Sequence, residues 1–113
     1  MQTIIRRHGP AFLKKIFTAR ERAYCGDKRR KFEHYAARFA AKEAALKAME
    51  IVHQDAYYRF SEIEVVRGAS GKPSIYIAPA SRKHFNLPPK YQFELSLTHE
   101  RDYAVASVLL ILS

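Results

Sequence analysis

The sequence predicts an α+β fold, in which helices come first and a small antiparallel sheet follows. Between about residues 28 and 52 the chain lacks Gly and Pro and is rich in Ala, which favours one long helix. Beyond residue 62 apolar and polar residues alternate, as is typical of strands joined by turns. A length of 113 residues without an internal repeat predicts a single domain over 1–113.

Shorter helices are predicted ahead of the long one. Residues 2–8 read as the end of a helix that Gly9-Pro10 interrupts, and proline suits the first turn of the helix that follows. Thr18 and Glu21 have the spacing of a capping box, which predicts a short helix starting there. Gly26-Asp27 then breaks the chain before the long helix.

The second half of the chain predicts an antiparallel sheet. Its strands are expected at residues 62–66, 73–77, 93–98 and 103–112. Residues 79–89 are polar and loop-like, with one helical turn expected around 81–84. The last strand is apolar on both faces, so we expect it to be covered on two sides, by its own helices and by more core or a partner subunit.

Composition restricts the class of protein. Cys25 is the only cysteine, which excludes an intrachain disulfide and fits a reducing cytosol. The apolar run at 108–112 is too short to span a bilayer, so we expect a cytoplasmic protein without a membrane segment.

The net charge of +9 is concentrated in the first half of the chain. Residues 1–50 hold 13 Lys and Arg against 5 Asp and Glu, whereas residues 51–113 hold 7 against 6. Such a field attracts a polyanion or an acidic protein. Nucleic acid is the usual partner of a basic patch, but the sequence has no zinc-ligand spacing, no RNA-recognition aromatic motif and no obvious helix-turn-helix signature.

The long helix carries a carboxylate within an apolar stripe. Helical spacing aligns Phe32, Ala36, Phe39, Glu43 and Lys47, and a stripe built on Phe is expected to face a core. A buried carboxylate must be paired, hydrogen-bonded or bound to a metal. The alternative is that Glu43 and Lys47 form an exposed ion pair at the rim of the buried face.

Two separated motifs resemble one enzyme family. Arg-Phe-Ala-Ala-Lys-Glu-Ala at 38–44, with Ser-Leu-Thr-His at 96–99 ahead of Tyr-Ala-Val-Ala at 103–106, resembles holo-acyl-carrier-protein synthase, a phosphopantetheinyl transferase. The resemblance extends from about residue 6 to residue 112. Further segments fit in the same order: His8-Gly9, Tyr24-Cys25, Ile63-Glu64-Val65 and Gly71-Lys72-Pro73.

The resemblance implies an activity, a cofactor and partners. The enzyme would transfer 4′-phosphopantetheine from coenzyme A to a serine of an acyl carrier protein, with Mg²⁺, and release 3′,5′-ADP. Members of the family are typically homotrimers whose active sites are shared between neighbouring subunits. The acidic acyl carrier protein and the phosphates of coenzyme A would both be attracted by the positive charge of this chain.

The resemblance also implies roles for particular residues. Glu43 would be catalytic and a magnesium ligand, and the Lys47 ammonium would lie against the pyrophosphate. For Lys42 a solvated helix face is an equal alternative to phosphate contact. The expected nucleotide-contacting residues are Arg38, Lys42, Gly71, Lys72, Pro73, Ser96, Thr98 and His99. The remaining histidines lack ligand spacing and are interpreted as structural or exposed: His8, His34, His53 and His84.

One family feature is missing from the sequence. The family normally begins with a short apolar strand carrying Gly-x-Asp, whose Asp binds magnesium beside the helix Glu, and no Gly-x-Asp occurs in these 113 residues. The chain begins inside what should be the first helix, which predicts either a start placed too late or a shortened homologue that has lost a ligand. The alternative function is therefore an impaired homologue that binds coenzyme A or an acidic carrier protein without turnover.

Overall fold

The computed structural model describes residues 1–49 and 59–112, apart from the side chain of Ile4. Within these residues three α-helices precede two antiparallel strand pairs, which confirms the predicted α+β class. The elements are α1 (Gln2–Ile16), α2 (Ala19–Gly26), α3 (Lys31–Ala48), β1 (Glu64–Arg67), β2 (Pro73–Tyr76), a 3-10 helix (Pro79–Phe85), β3 (Tyr91–His99) and β4 (Ala104–Leu112).

The helix boundaries follow the local signals in the sequence. Gly9 kinks α1 with φ 64° and ψ −152°, a conformation that needs glycine, and Pro10 opens the second half of that helix. Thr18 caps α2, and its capping box with Glu21 is formed as predicted. The start of α3 lies three residues after the predicted one, and its predicted end near residue 52 lies outside the described residues.

The four strands form two hairpins. β1 pairs antiparallel with β2, from Glu64 opposite Tyr76 to Arg67 opposite Pro73. β3 pairs antiparallel with β4, from Tyr91 opposite Leu112 to His99 opposite Ala104. The β3–β4 hairpin packs on α3, and β2 lies next to β3. The helical turn expected near 81–84 is the 3-10 helix.

The buried face of α3 differs from the predicted one. The residues that it buries are Tyr35, Ala37, Arg38, Ala41, Lys42, Ala45 and Leu46. The predicted stripe from Phe32 to Glu43 is only partly buried: Phe39 packs against the core beside Phe60, whereas Lys47 is exposed, so the stripe lies at the margin of the buried face and not at its centre. The physical reason is the size of Ala: Ala41 packs directly against Val65 and Leu95, which brings the strands close to the helix axis.

β4 has two apolar faces of different exposure. Val108 and Leu110 pack inward against the core. Val105, Leu109 and Ile111 face outward and are 53%, 66% and 46% exposed. We name this surface the outer hairpin face. It comprises the outward residues of β3 and β4, namely Gln92, Glu94, Ser96, Thr98, Val105, Ser107, Leu109 and Ile111. Among the described residues β4 is therefore covered on one side only.

Candidate active site

Glu43 lies on α3 beside the buried face of the helix. Its side chain is partly buried, and within residues 1–49 and 59–112 its carboxylate accepts no hydrogen bond and forms no ion pair. Lys47 is exposed, and the alternative ion pair between the two residues is not formed. A carboxylate left without a partner at a partly exposed position is available to a proton, a water or a cation.

Lys42 was expected to contact phosphate or to lie on a solvated face, and both expectations are wrong. Its side chain is 0% exposed, and its Nζ lies 2.7 Å from Glu21 Oε1. The ammonium also donates to the carbonyl of Phe60, at 2.7 Å, and to that of Ile63. Burial lowers the pKa of Lys42, and the Glu21 carboxylate opposes that effect.

Glu21 is a buried charged residue that the sequence analysis recognised only as part of a helix cap. Its Oε1 accepts from the backbone N–H of Thr18 at 2.9 Å, and its Oε2 accepts from that of Val65 at 2.8 Å. The capping box places Glu21 at the start of α2, but nothing in the local pattern identifies Lys42 as its partner.

Arg38 belongs to a group of cations around one aromatic ring. Its guanidinium carbon lies 4.2 Å from the centroid of the Tyr24 ring. Lys28 and Arg67 approach the same ring at 4.4 and 5.6 Å. We name these four residues the Tyr24 cluster. Arg38 is 2% exposed and its Nε is buried without a hydrogen-bond partner among the described residues.

The Tyr24 cluster carries a surplus of positive charge. Arg38 and Arg67 have no carboxylate within ion-pair distance in the described part of the chain. Cation–π contacts stabilise each cation at the ring but leave its charge in place. A surplus of guanidinium and ammonium groups at one place favours an anion with several oxygens, such as a phosphate.

His99, for which a nucleotide contact was predicted, lies next to this cluster. The His34 ring contacts Tyr24 at 5.7 Å and His99 at 4.8 Å between centroids, so His34 connects the two. His99 Nδ1 lies 3.4 Å from Glu33 Oε1. Burial is the main reason that the pKa of His34 is lowered, and the neighbouring His99 adds to the effect. His34 Nδ1 is buried without a partner in the described residues.

Ser96 and Thr98 lie on the other side of the hairpin. Residues of a strand alternate between its faces, and both hydroxyls are exposed on the outer hairpin face, opposite Ser107 and Val105. His99 points inward to α3. Within one chain, Ser96 and Thr98 therefore lie on the face of the hairpin opposite to His99 and the Tyr24 cluster.

The Gly71-Lys72-Pro73 turn contacts both the Tyr24 cluster and the outer hairpin face. Gly71 has φ 84°, and its carbonyl accepts a hydrogen bond from Arg67 of the Tyr24 cluster. Lys72 is exposed, with its Nζ 3.7 Å from Glu94 Oε2. Glu94 lies on β3 in phase with Ser96, so the ammonium of Lys72 is directed toward the outer hairpin face.

The other histidines lie in different environments. His8 is exposed, and His84 Nδ1 is 2.7 Å from Glu62 Oε1. His53 lies outside the described residues. No three His, Cys, Asp or Glu side chains within the described ranges come together as metal ligands. A dedicated protein cage for a metal is therefore not formed by these residues.

A single carboxylate can still serve magnesium, which often uses one or two carboxylates together with substrate phosphates. Glu43 fits this requirement because no described cation neutralises it. No helix of the described residues has the length and apolar character needed to cross a membrane.

The chain is similar to known proteins over nearly its whole length. Residues 1–108 match the family model described as 4′-phosphopantetheinyl transferase superfamily. The holo-[acyl-carrier-protein] synthase of Solibacter usitatus is 36% identical over 110 residues, which cover 97% of this chain and 87% of that protein.

Solved structures of the same kind superpose on this fold. An ACPS–CoA complex from Chronobacterium ammoniagenes has a TM-score of 0.78 at 29% identity, covering 93% of this chain and 83% of that one. A holo-(acyl-carrier-protein) synthase from Bacillus anthracis in complex with CoA (3′,5′-ADP) has a TM-score of 0.71 at 29% identity, covering 98% and 89%. The chain therefore belongs to the holo-[acyl-carrier-protein] synthases, transferases of the 4′-phosphopantetheinyl transferase superfamily.

Proposed function

We propose that this protein transfers 4′-phosphopantetheine from coenzyme A to a serine of an acyl carrier protein and releases 3′,5′-ADP. The observation that carries the proposal is that His99, far from Arg38 in sequence, is connected through His34 to Tyr24, the ring that Arg38 contacts in a cation-rich cluster. Coenzyme A presents several phosphate groups, which match such a cluster. The two solved relatives described above hold this ligand or its 3′,5′-ADP portion.

The reaction is a phosphoryl transfer. The serine oxygen forms a bond to the β-phosphorus of coenzyme A, the bond to the bridging oxygen breaks, and the serine proton is lost to a base. Catalysis of this kind depends mainly on positioning and on neutralising charge at the phosphate oxygens. Glu43 would orient a water that accepts the proton, and Lys47 would place its ammonium against the pyrophosphate.

The metal role of Glu43 belongs to the same proposal. A Mg²⁺ bound by Glu43 and by substrate oxygens would supply positive charge at the phosphates. His99 would contact the nucleotide phosphates, and Arg38, which is 2% exposed, would add its positive charge to the site from its buried position against the Tyr24 ring. Lys42 takes no part in contact with substrate, because Glu21 and two carbonyls use its ammonium.

The outward position of Ser96 and Thr98 supports an active site shared between subunits. These hydroxyls lie on the outer hairpin face with the exposed Val105, Leu109 and Ile111. A face with this much apolar surface next to polar groups is suited to an interface. We propose that a homotrimer forms through this face, so that Ser96, Thr98 and the Gly71–Pro73 turn meet nucleotide bound mainly by a neighbouring subunit.

The partner and compartment follow from charge and from the substrate. The first 50 residues carry 13 Lys and Arg against 5 Asp and Glu, a surface complementary to an acidic acyl carrier protein. Coenzyme A and carrier proteins meet in the cytoplasm, where we place the protein. The second candidate is binding of coenzyme A without turnover, and it is favoured because no three possible metal ligands come together within the described residues.

The decisive experiment measures pantetheine transfer from coenzyme A to an apo-acyl carrier protein, with Mg²⁺ and then with a chelator. We expect transfer that depends on the metal. Coenzyme A binding without product would support the second candidate instead.

Two variants assign roles in the same assay. Glu43→Ala should lower turnover more than nucleotide affinity, whereas His99→Ala should weaken affinity. Glu100→Ala removes an exposed carboxylate at the β3–β4 turn and serves as the control. Full turnover of the Glu43→Ala protein would contradict the role given to this residue.

A further inference from the structure

We propose that Glu21 and Lys42 form a positioning pair, which sets the rotation of α3 about its axis and thereby the direction in which Glu43 is presented. The inference rests on the proposed transferase function. It assigns a role to two residues that do not contact substrate.

Every polar group of this pair is satisfied inside the fold. Lys42 has three ammonium hydrogens and three acceptors, namely Glu21 Oε1 at 2.7 Å and the carbonyls of Phe60 and Ile63. Both oxygens of Glu21 also accept backbone N–H groups, from Thr18 at 2.9 Å and Val65 at 2.8 Å. The two side chains are 0% exposed.

The pair joins four segments of the fold, of which α2 and β1 also share the hydrogen bond from Thr18 Oγ1 to Glu64 Oε1. Thr18 and Glu21 belong to the start of α2, Lys42 to α3, residues 60–63 to the chain before β1, and Val65 to β1. Hydrogen bonds are directional, so the ammonium fits its three acceptors at one rotation of the helix. Dispersion contacts lack such a requirement.

The middle of the buried face of α3 is lined by small side chains. Ala37, Ala41 and Ala45 are fully buried there, whereas the large buried side chains Tyr35 and Leu46 lie toward the two ends of the helix. Small side chains offer no knob that inserts between residues of the strands, and ridge-and-groove packing needs such knobs. Lys42 lies within this middle stretch and supplies a directional contact there.

Glu43 is the next residue along the helix, so its direction depends on this rotation. Side chains of a helix extend about 5–6 Å from its axis, so a turn of about 20° moves their ends by roughly 2 Å. A displacement of about 1 Å in a catalytic group can lower a rate by about 100-fold. A small rotation of α3 would therefore affect turnover before it affects folding.

A buried ion pair such as this one contributes little net stability to a fold, because both charges lose their hydration. Replacement of a buried ion pair by apolar residues is often neutral or stabilising, whereas removal of one partner is strongly destabilising. Replacement of both partners therefore tests the positioning role without the large loss of stability that removal of one partner causes. A charge-neutral double replacement should fold and should still turn over slowly.

The test compares Glu21→Gln/Lys42→Met with the wild-type protein in the full transfer assay. We expect the double variant to bind coenzyme A with a Kd within about 3-fold of wild type, while kcat falls by about 10- to 100-fold. Phe85→Leu, at a buried position at the end of the 3-10 helix, is the control for a general loss of stability and should keep its kcat. A wild-type kcat in the double variant would overturn the proposal, as would an equal loss of kcat in the control.

A second variant and a second measurement complete the test. Lys42→Arg keeps the charge but cannot place three N–H groups on the same three acceptors, so kcat should fall at unchanged Kd even if the double variant does not fold. A crystal structure of the folded variant should show α3 rotated, and an unrotated helix would overturn the proposal without reference to activity. Absence of transfer by the wild-type protein would count against the proposed function alone.

Discussion

Replacing Leu109 with lysine tests whether the outer hairpin face joins subunits. Leu109 is the most exposed large apolar side chain in the described residues, at 66%, and it lies between Val105 and Ile111 on the outward side of β4. If three chains meet through this face, each Leu109 leaves water on assembly. If the chain acts alone, the same side chain remains in solvent.

The size of the effect follows from the exposed fraction. Full burial of a leucine side chain is worth about 1.5–3 kcal/mol, so the exposed two thirds correspond to roughly 1–2 kcal/mol in each subunit. Three subunits together lose roughly 3–6 kcal/mol, which lowers the association constant by about 10²- to 10⁴-fold. A buried ammonium without a partner adds to this loss.

Sedimentation velocity over a range of protein concentrations measures the assembly, and the transfer assay measures turnover per chain at the same concentrations. Ala80→Lys adds the same charge at an exposed position of the 3-10 helix and should change neither quantity. We expect Leu109→Lys to give monomers and to lose activity in proportion to the loss of trimer. Monomers with full turnover would refute the shared site, and an unchanged trimer would refute the interface.

Two further predictions concern stability against pH. Burial and the neighbouring His99 lower the pKa of His34 below its ordinary value of 6.5. The unfolded chain therefore binds this proton first, so stability should fall as the pH drops below about 6.5, and His34→Gln should fall less in urea titrations. Identical acid profiles would contradict this. Burial raises the pKa of Cys25 from 9.0 to about 11. The unfolded chain then loses the proton first, so between about pH 9 and 11 the wild type should lose roughly 2–3 kcal/mol relative to Cys25→Ala. Parallel curves of unfolding free energy against pH would show that this thiol does not titrate as inferred.

Elements with local signals were predicted well from the sequence. Gly9-Pro10 and the capping box of Thr18 act within a few residues, and both have their predicted effect. β3 and β4 follow from alternation, which needs no knowledge of distant residues. The predicted boundaries differ from the observed ones by up to three residues, as at the start of α3.

The buried face of α3 could not be predicted in the same way. Hydrophobicity gives more weight to Phe32 and Phe39 than to Ala41, although Ala41 is the residue that allows close approach of the strands. Lys42 is polar and is nevertheless buried, because Glu21 pairs with it. Glu21 lies 21 residues away in the sequence, so no local pattern reveals the pair. Only the tertiary structure brings the two together.

The candidate site shows both outcomes. The resemblance led to Arg38 and His99. Arg38 belongs to the Tyr24 cluster, and His99 lies beside that cluster, connected to it by His34, which the sequence analysis had interpreted as structural or exposed. Ser96 and Thr98 were grouped with His99 although they differ from it by an odd number of positions. That parity already directs their side chains to the opposite face of a strand.

The adjacent residues Lys42 and Glu43 show how α3 separates charge used by the fold from charge available for chemistry. Glu21 neutralises Lys42 inside the core, so this ammonium is not available to Glu43. Lys47 is the only cation among the helical neighbours of Glu43, and it is exposed and does not pair with it. Among the described residues no cation pairs with the Glu43 carboxylate, which lies on the same helix as Arg38. A carboxylate without a partner contributes little to stability, and in the proposed reaction it is placed to bind a cation while a phosphate ester lies at the Tyr24 cluster.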